Sequence, residues 1–327
     1  LAVIIIPIKI NIYTFKSPEH PAKLGRMGPD LNEKVNAETL QTLILKLRVP
    51  YADWQTRAKP KHYRNLLTDL FYKAGVIMRN YPEKPEKVYF FGTCVIDMAY
   101  PEAGLAGIKL IQREGVKVIF PRAQSCCGQP AYNSGFMDEA RAVARKQVAL
   151  FPKNYPIVVP SGSCAGMMKV HYPKLLAGDP DFDQVLNFAN RIFELSEFLV
   201  NVLKIKLEDR GEPVRVTWHS SCHAAREMGI IADCKALIRQ LKNVELVELQ
   251  NEHECCGFGG TFSVKQPEIS AAMVADKVAD IQQTGAQVLL AENCGCLMNI
   301  AGHIAHKNLP ITGKHLAEFI WERINGK

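Results

Sequence analysis

Long apolar runs are missing from this sequence. No stretch approaches the roughly 18 residues that a membrane-spanning helix needs. The longest near the start, Leu1 to Ile8, has no basic leader before it and no small-residue cleavage site after it. The expectation is a cytoplasmic chain without a signal peptide. Also missing is any basic stripe of the kind that follows a phosphate backbone. The formal charge of +7 comes almost wholly from the N-terminal part, with 14 basic against 8 acidic residues up to Glu86 and 26 against 25 beyond it. That balance argues against a nucleic-acid partner. The glycine-rich stretch Cys256-Gly257-Phe258-Gly259-Gly260-Thr261 does not fit the spacing or setting of a dinucleotide-binding turn. No Cys-x-x-Cys pair occurs, which removes the usual signature of thiol–disulfide exchange and fits poorly with a structural zinc site.

What the sequence does have is thiols. Ten cysteines in 327 residues, in a chain read as cytoplasmic, suggest metal ligation or redox chemistry sooner than disulfides. They fall into two sets. Cys94, Cys126-Cys127-Gly128 and Cys164 form the first; Cys222, Cys255-Cys256-Gly257 and Cys294 form the second. Counted along the chain, the patterns are C-x31-CCG-x35-C and C-x32-CCG-x36-C. A match of this kind marks an internal repeat.

The surroundings repeat too. Val88 to Thr93, Val116 to Pro121 and Ile157 to Gly162 precede the cysteines of the first set, and Val214 to His219, Val244 to Gln250 and Val288 to Asn293 those of the second. These short Val- and Ile-rich runs lack helical periodicity and read as buried strands. Helical patterns lie between them at Glu102 to Glu114, Ser134 to Phe151 and Pro267 to about Gly285. Each half closes on a similar helix, Leu195-Ser196-Glu197-Phe198 and Leu316-Ala317-Glu318-Phe319. The fold class is therefore α/β: two pseudo-symmetric repeats with parallel sheets and right-handed crossovers, the cysteines at the carboxyl ends of the strands. The first repeat runs over 87–203 and the second over 214–327, with the charged stretch 204–213 as linker. The segment 1–86 matches neither repeat and is an extension of uncertain status. It has helical patterns at Ala37 to Leu47 and Tyr63 to Met78, and Met78 is an alternative start.

Adjacent thiols followed by glycine suit a polynuclear cluster, because neighbouring thiolates can reach different metal atoms and glycine lets the backbone come close. By chain position Cys296 stands opposite Gly166 and beside Cys294, and is taken as a further ligand of the second half; Cys234 stands opposite Ala106 in a helical pattern and is taken as core. His219 and His223 flank Cys222. They suit either cluster tuning and proton carriage or a polar strand end, and Asp97 near Cys94 is open to the same two readings. A scaffold held by zinc, without redox activity, stays as an alternative.

At CCGQPAYNSG (Cys126 to Gly135), PSGSC (Pro160 to Cys164), HSSCH (His219 to His223), ECCGFGGTFSVK (Glu254 to Lys265) and CGCLMNI (Cys294 to Ile300), the chain resembles the CCG-domain, or cysteine-rich-domain, proteins. These include the catalytic B subunit of heterodisulfide reductase and iron–sulfur subunits of glycolate oxidase and anaerobic glycerol-3-phosphate dehydrogenase; the lactate-utilization members are most similar. The resemblance covers about Lys87 to Lys327. It implies iron–sulfur clusters of the 4Fe-4S type, held by Cys94, Cys126, Cys127 and Cys164 in one half and by Cys222, Cys255, Cys256, Cys294 and Cys296 in the other. It implies electron transfer during NAD-independent oxidation of L-lactate to pyruvate. It also implies two partners, a ferredoxin-type iron–sulfur subunit and a smaller third subunit. The family pattern closes each repeat with Cys-x-x-Cys, whereas here Cys164 is followed by Ala165, Gly166 and Met167, and the second repeat has Cys294-Gly295-Cys296. On that count the halves offer four and five thiols.

Overall fold

The computed structural model describes residues 81–326; the helical patterns and the alternative start expected before them lie outside that range. Pro82–Lys327 forms one compact unit. It holds two four-stranded sheets of like topology. In the first, β1 (Lys87–Phe90), β2 (Lys117–Ile119), β3 (Ile157–Val159) and β4 (Ile192–Glu194) lie in the order β2-β1-β3-β4; in the second, β5 (Val214–Trp218), β6 (Val244–Val247), β7 (Val288–Ala291) and β8 (Thr312–His315) lie in the order β6-β5-β7-β8. Every pairing is parallel.

The expected central strands are present, trimmed at their ends. The cause of trimming is the chemistry that follows: after Phe90, Val159 and Ala291 the chain turns out of the sheet to start the next helix with a cysteine in its first turn. Both central strands of each sheet are buried on both faces. Val88, Phe90, Ile157, Val158, Val216, Trp218, Leu289 and Leu290 are all inaccessible, as suits parallel strands covered by helices. β4 and β8 were not expected. They are short, and β8 reads Thr-Gly-Lys-His, so neither shows a buried-strand pattern along the chain.

Helices fill the crossovers: Pro101–Arg113 between β1 and β2, Met137–Ala149 between β2 and β3, Ile231–Arg239 between β5 and β6, Pro267–Gln283 between β6 and β7. Pro101 and Pro267 open their helices in the first turn, where a missing N–H costs nothing. In each sheet the strand order reverses between the two central strands, β1 and β3 or β5 and β7, and the crevice beyond their carboxyl ends is where such sheets bind ligands.

The stretch 204–213 crosses between the sheets and is tied down. Arg323, in the closing helix Leu316–Ile324, donates from Nε and Nη2 to the two oxygens of Asp209 at 2.8 and 2.9 Å, and both side chains are buried. Asp209 also accepts the N–H groups of Gly211 and Asn243. Any side chain on Gly211 would collide with the Arg323 guanidinium, 2.2 Å away.

Candidate functional site

Apart from Cys234, each thiol stands beyond the carboxyl end of a strand. Cys94 begins the helix Cys94–Ala99 after β1, capped by Thr93, whose side chain accepts the Ile96 N–H at 3.3 Å. Thr93 holds φ +52°, a strained conformation for a branched residue, kept at the site where the chain turns sharply from strand to thiol. Cys126-Cys127 and Cys255-Cys256 lie in the loops after β2 and β6. Gly128 and Gly257 follow them with φ of +81° and +78°, and their N–H groups point back at Cys126 and Cys255 sulfur, each at 3.4 Å. A Cβ on Gly257 would lie 2.7 Å from the Ser270 carbonyl oxygen, so this turn admits only glycine.

The loops are fastened from behind. In the second half Lys277 donates to the Asn251 carbonyl at 2.5 Å, and Asp280 accepts the N–H groups of Gln250 and Asn251 at 3.1 and 2.9 Å. In the first, Gln147 donates to the Ser125 hydroxyl at 2.7 Å.

In each half four thiols join in one chain of sulfur contacts. Cys126 lies against Cys94 and Cys127, and Cys127 against Cys164. Cys255 lies against Cys222 and Cys256, and Cys256 against Cys296. The first cysteine of each pair is the one whose thiolate form the contacts favour. Hydrogens shared from Cys127 and Cys94 bring Cys126 down to about 3, and those from Cys222 and Cys256 bring Cys255 down to about 2. Their neighbours Cys94, Cys127, Cys222 and Cys256 are pushed up as hydrogen donors in these contacts. Cys296 falls to about 5, chiefly through the hydrogen from Cys256, with His219 beside it adding to the effect.

The pairing of strands corrects the match between halves. β3 pairs Val159 with Glu194 and β7 pairs Ala291 with His315, and Glu194 and His315 each cap the helix that follows. The backbone N–H of Phe91 bonds the Val158 carbonyl as that of His219 bonds Leu290. Val159 therefore corresponds to Ala291, and Pro160-Ser161-Gly162-Ser163-Cys164 lies over Glu292-Asn293-Cys294-Gly295-Cys296. Counting along the chain sets Cys164 opposite Cys294; the sheet sets it opposite Cys296. Met167 and Asn299 then occupy matching places, and both halves offer four thiols in the same arrangement.

Cys294 corresponds to Gly162. It is buried, and among the described residues it shares no hydrogen with another thiol. Burial pushes it up, helped by the charges of Glu292, Cys164 and Glu318, so it stands between the two sets. Cys234 is fully buried in the helix Ile231–Arg239, and Asp97 is exposed.

The two histidines differ. His223 is half-buried; its Nδ1 lies 3.6 Å from Cys222 sulfur and its Nε2 3.2 Å from Gln129 Nε2 in the other half. His219 is 1 % exposed, with no nitrogen or oxygen partner for its ring among the described residues, and its ring stands against Cys296 sulfur. A His219 nitrogen and the sulfurs of Cys256 and Cys296 lie within 4.8 Å of one another.

Several polar groups escaped the sequence because nothing in its pattern sets them apart. Glu292 and Glu194 are buried close together; burial first, then mutual charge, raises Glu194, and burial raises Glu292 to about 7 although the Ser221 hydroxyl donates to it. His315, held neutral by burial with its value lowered to about 4, accepts the Ala317 N–H on Nδ1, so Nε2 carries the proton donated to the carbonyls of Glu292 and Pro160 at 2.9 and 3.2 Å.

Each half gathers four sulfur donors, two buried (Cys127 and Cys164, Cys256 and Cys296) and two nearer the surface, with Cys255 exposed; such all-sulfur sets of four fit an iron–sulfur cluster in each half. Two non-sulfur donors stand beside the second set, His219 against Cys296 and His223 against Cys222.

The CCG cysteine-rich domain family matches this chain twice, at residues 88–169 and 216–301. Lactate utilization protein A of Geobacillus kaustophilus is 46% identical over 237 residues, which span 72% of this chain and 98% of that protein. Lactate utilization protein A of Bacillus subtilis is 41% identical over 240 residues, 72% of this chain and 100% of its own. A solved structure of a hypothetical protein from Helicobacter pylori superposes with a TM-score of 0.54 at 13% identity, over 84% of this chain and 56% of the other, a likeness of fold.

Proposed function

From the premise that the chain belongs to the CCG cysteine-rich domain family, we propose that it serves lactate utilization as the iron–sulfur subunit of an L-lactate-oxidising complex. One observation carries the reading most: the same four-thiol set is built twice, in register, at the carboxyl ends of two like sheets.

Cys94, Cys126, Cys127 and Cys164 would hold one 4Fe-4S cluster, and Cys222, Cys255, Cys256 and Cys296 the other. Such clusters, when bound, would supply one-electron steps, and two of them would match the two electrons that leave lactate, with two protons, as pyruvate forms. The protein's own work is to hold, shield and tune. Cys126 and Cys255 are held low by the hydrogens of their neighbours, which favours the thiolate form that a metal needs. Gly128 and Gly257 bring backbone N–H groups to within 3.4 Å of those sulfurs, which favours added negative charge there. Cys127, Cys164, Cys256 and Cys296 are buried, which keeps water from the inner sulfurs. The family resemblance implies a ferredoxin-type partner, whose Cys-x2-Cys-x2-Cys-x3-Cys run this sequence does not contain, and a smaller third subunit, and these complete the proposed complex.

His219 with thiols beside it also makes a donor set that zinc accepts, and this favours a zinc-held scaffold as the second reading. Iron, zinc and acid-labile sulfide are to be measured on anaerobically purified protein and on a C255S/C256S variant. Iron with sulfide, falling by about half in the variant, is the expected result. Zinc without sulfide, after anaerobic reconstitution with iron and sulfide, would leave the scaffold reading in its place.

A further inference from the structure

The two thiol sets match, but their surroundings do not. Phe91 and His219 occupy the same place in the two sheets, each fixed by its N–H to a central strand, at 2.9 Å from the Val158 carbonyl and 2.9 Å from the Leu290 carbonyl. Phe91 is wholly buried and sets its ring near Phe151, with centroids 6.2 Å apart. His219 is equally buried, yet its ring finds no nitrogen or oxygen partner among the described residues and turns to the sulfur of Cys296.

A buried polar group left unpaired costs about 1–3 kcal/mol, and an aromatic hydrocarbon serves in the other half. The nitrogen within 4.8 Å of Cys256 and Cys296 sulfur shows where an acceptor would stand. An imidazole carries at least one N–H whether neutral or charged. It can therefore donate to sulfur without a change of protonation. A hydrogen bond to cluster or cysteine sulfur favours the reduced, more negative state and raises the potential.

We propose that His219 is a tuning residue: its ring N–H bonds to sulfur of the second-half cluster and makes that cluster the more easily reduced of the two. The first half, with Phe91 in the same place, has no such donor and keeps the lower potential. An electron leaving the reduced first-half cluster would then reduce the second, the one oxidised as the other gains the electron. The inference rests on the iron–sulfur reading above.

The test is a potentiometric titration followed by EPR on the full chain, anaerobically reconstituted, with iron and sulfide assayed in the same samples. Three forms are compared: the unchanged chain, H219F, which installs the first half's own residue, and H219Q, which keeps a side-chain N–H. The unchanged chain should show two separate midpoints. H219F should keep its iron and sulfide while the higher midpoint moves down toward the lower, and H219Q should stay near the unchanged chain. A fully loaded H219F whose midpoints do not move overturns the inference alone. Iron lost from the second half in H219F also overturns it, since His219 would then be a ligand. No iron or sulfide in any form removes both this inference and the reading beneath it.

Discussion

Cys294 and Cys296 are one residue apart and meet different fates. Helix Cys294–His306 turns about 100° per residue, so two positions carry a side chain to the far side of its first turn. Cys296 reaches Cys256, while Cys294 is left between the sets. The expected result is that C296S loses the second-half cluster, whereas C294S keeps both; iron per chain and the EPR signal of each variant check it. Glu292, next to this turn, gives a second expectation. Its carboxyl is raised by burial from 4.5 to about 7. A raised carboxyl binds its proton more tightly folded than unfolded, so folding stability should fall as pH rises from about 4.5 to about 7 and level off above. The fall is on the order of 3 kcal/mol at most. E292Q should remove that slope from denaturant titrations of the apo protein across the window.

At the scale of elements, the Asp209–Arg323 pair joins the crossing stretch to the last helix. Removing one partner leaves a buried charge alone, which costs about 3–5 kcal/mol. R323A should therefore shift the chemical denaturation midpoint strongly, and a D209A/R323A double variant should recover part of the loss. This tie was not legible in the sequence, where 204–213 read as a charged linker; the partner of Asp209 lies 114 residues away. The central strands and long crossover helices were legible because their burial writes a pattern along the chain. β4 and β8 were not, since Thr312–His315 owes its place to pairing with β7 and to the cap that His315 provides. The thiol repeat was plain from spacing, but its register was not. The segment between the cysteine pair and the next strand differs in length between the halves, and only the ladder shows that Cys296 answers Cys164.

At the scale of the whole described unit, two like sheets face their thiols toward one seam. Gln129 meets His223, Ser134 meets Thr261 at 3.0 Å, and His315 donates to carbonyls of both halves. Among the described residues no helix is long and apolar enough to cross a membrane. The family model matches each repeat once, so the halves are two copies of one domain, and they differ in carrying Phe91 in one and His219 in the other.

Gly162 lies on that seam, where an added Cβ would come 2.7 Å from the Ala224 Cβ and 3.0 Å from a Glu292 carboxylate oxygen. The bare backbone there acts as a spacer of least thickness. Electron tunnelling weakens exponentially with the gap to be crossed, so on the iron–sulfur reading proposed above a methyl wedged into this contact would push the halves apart and slow exchange between them, and a bare backbone position becomes a setting of electrical distance.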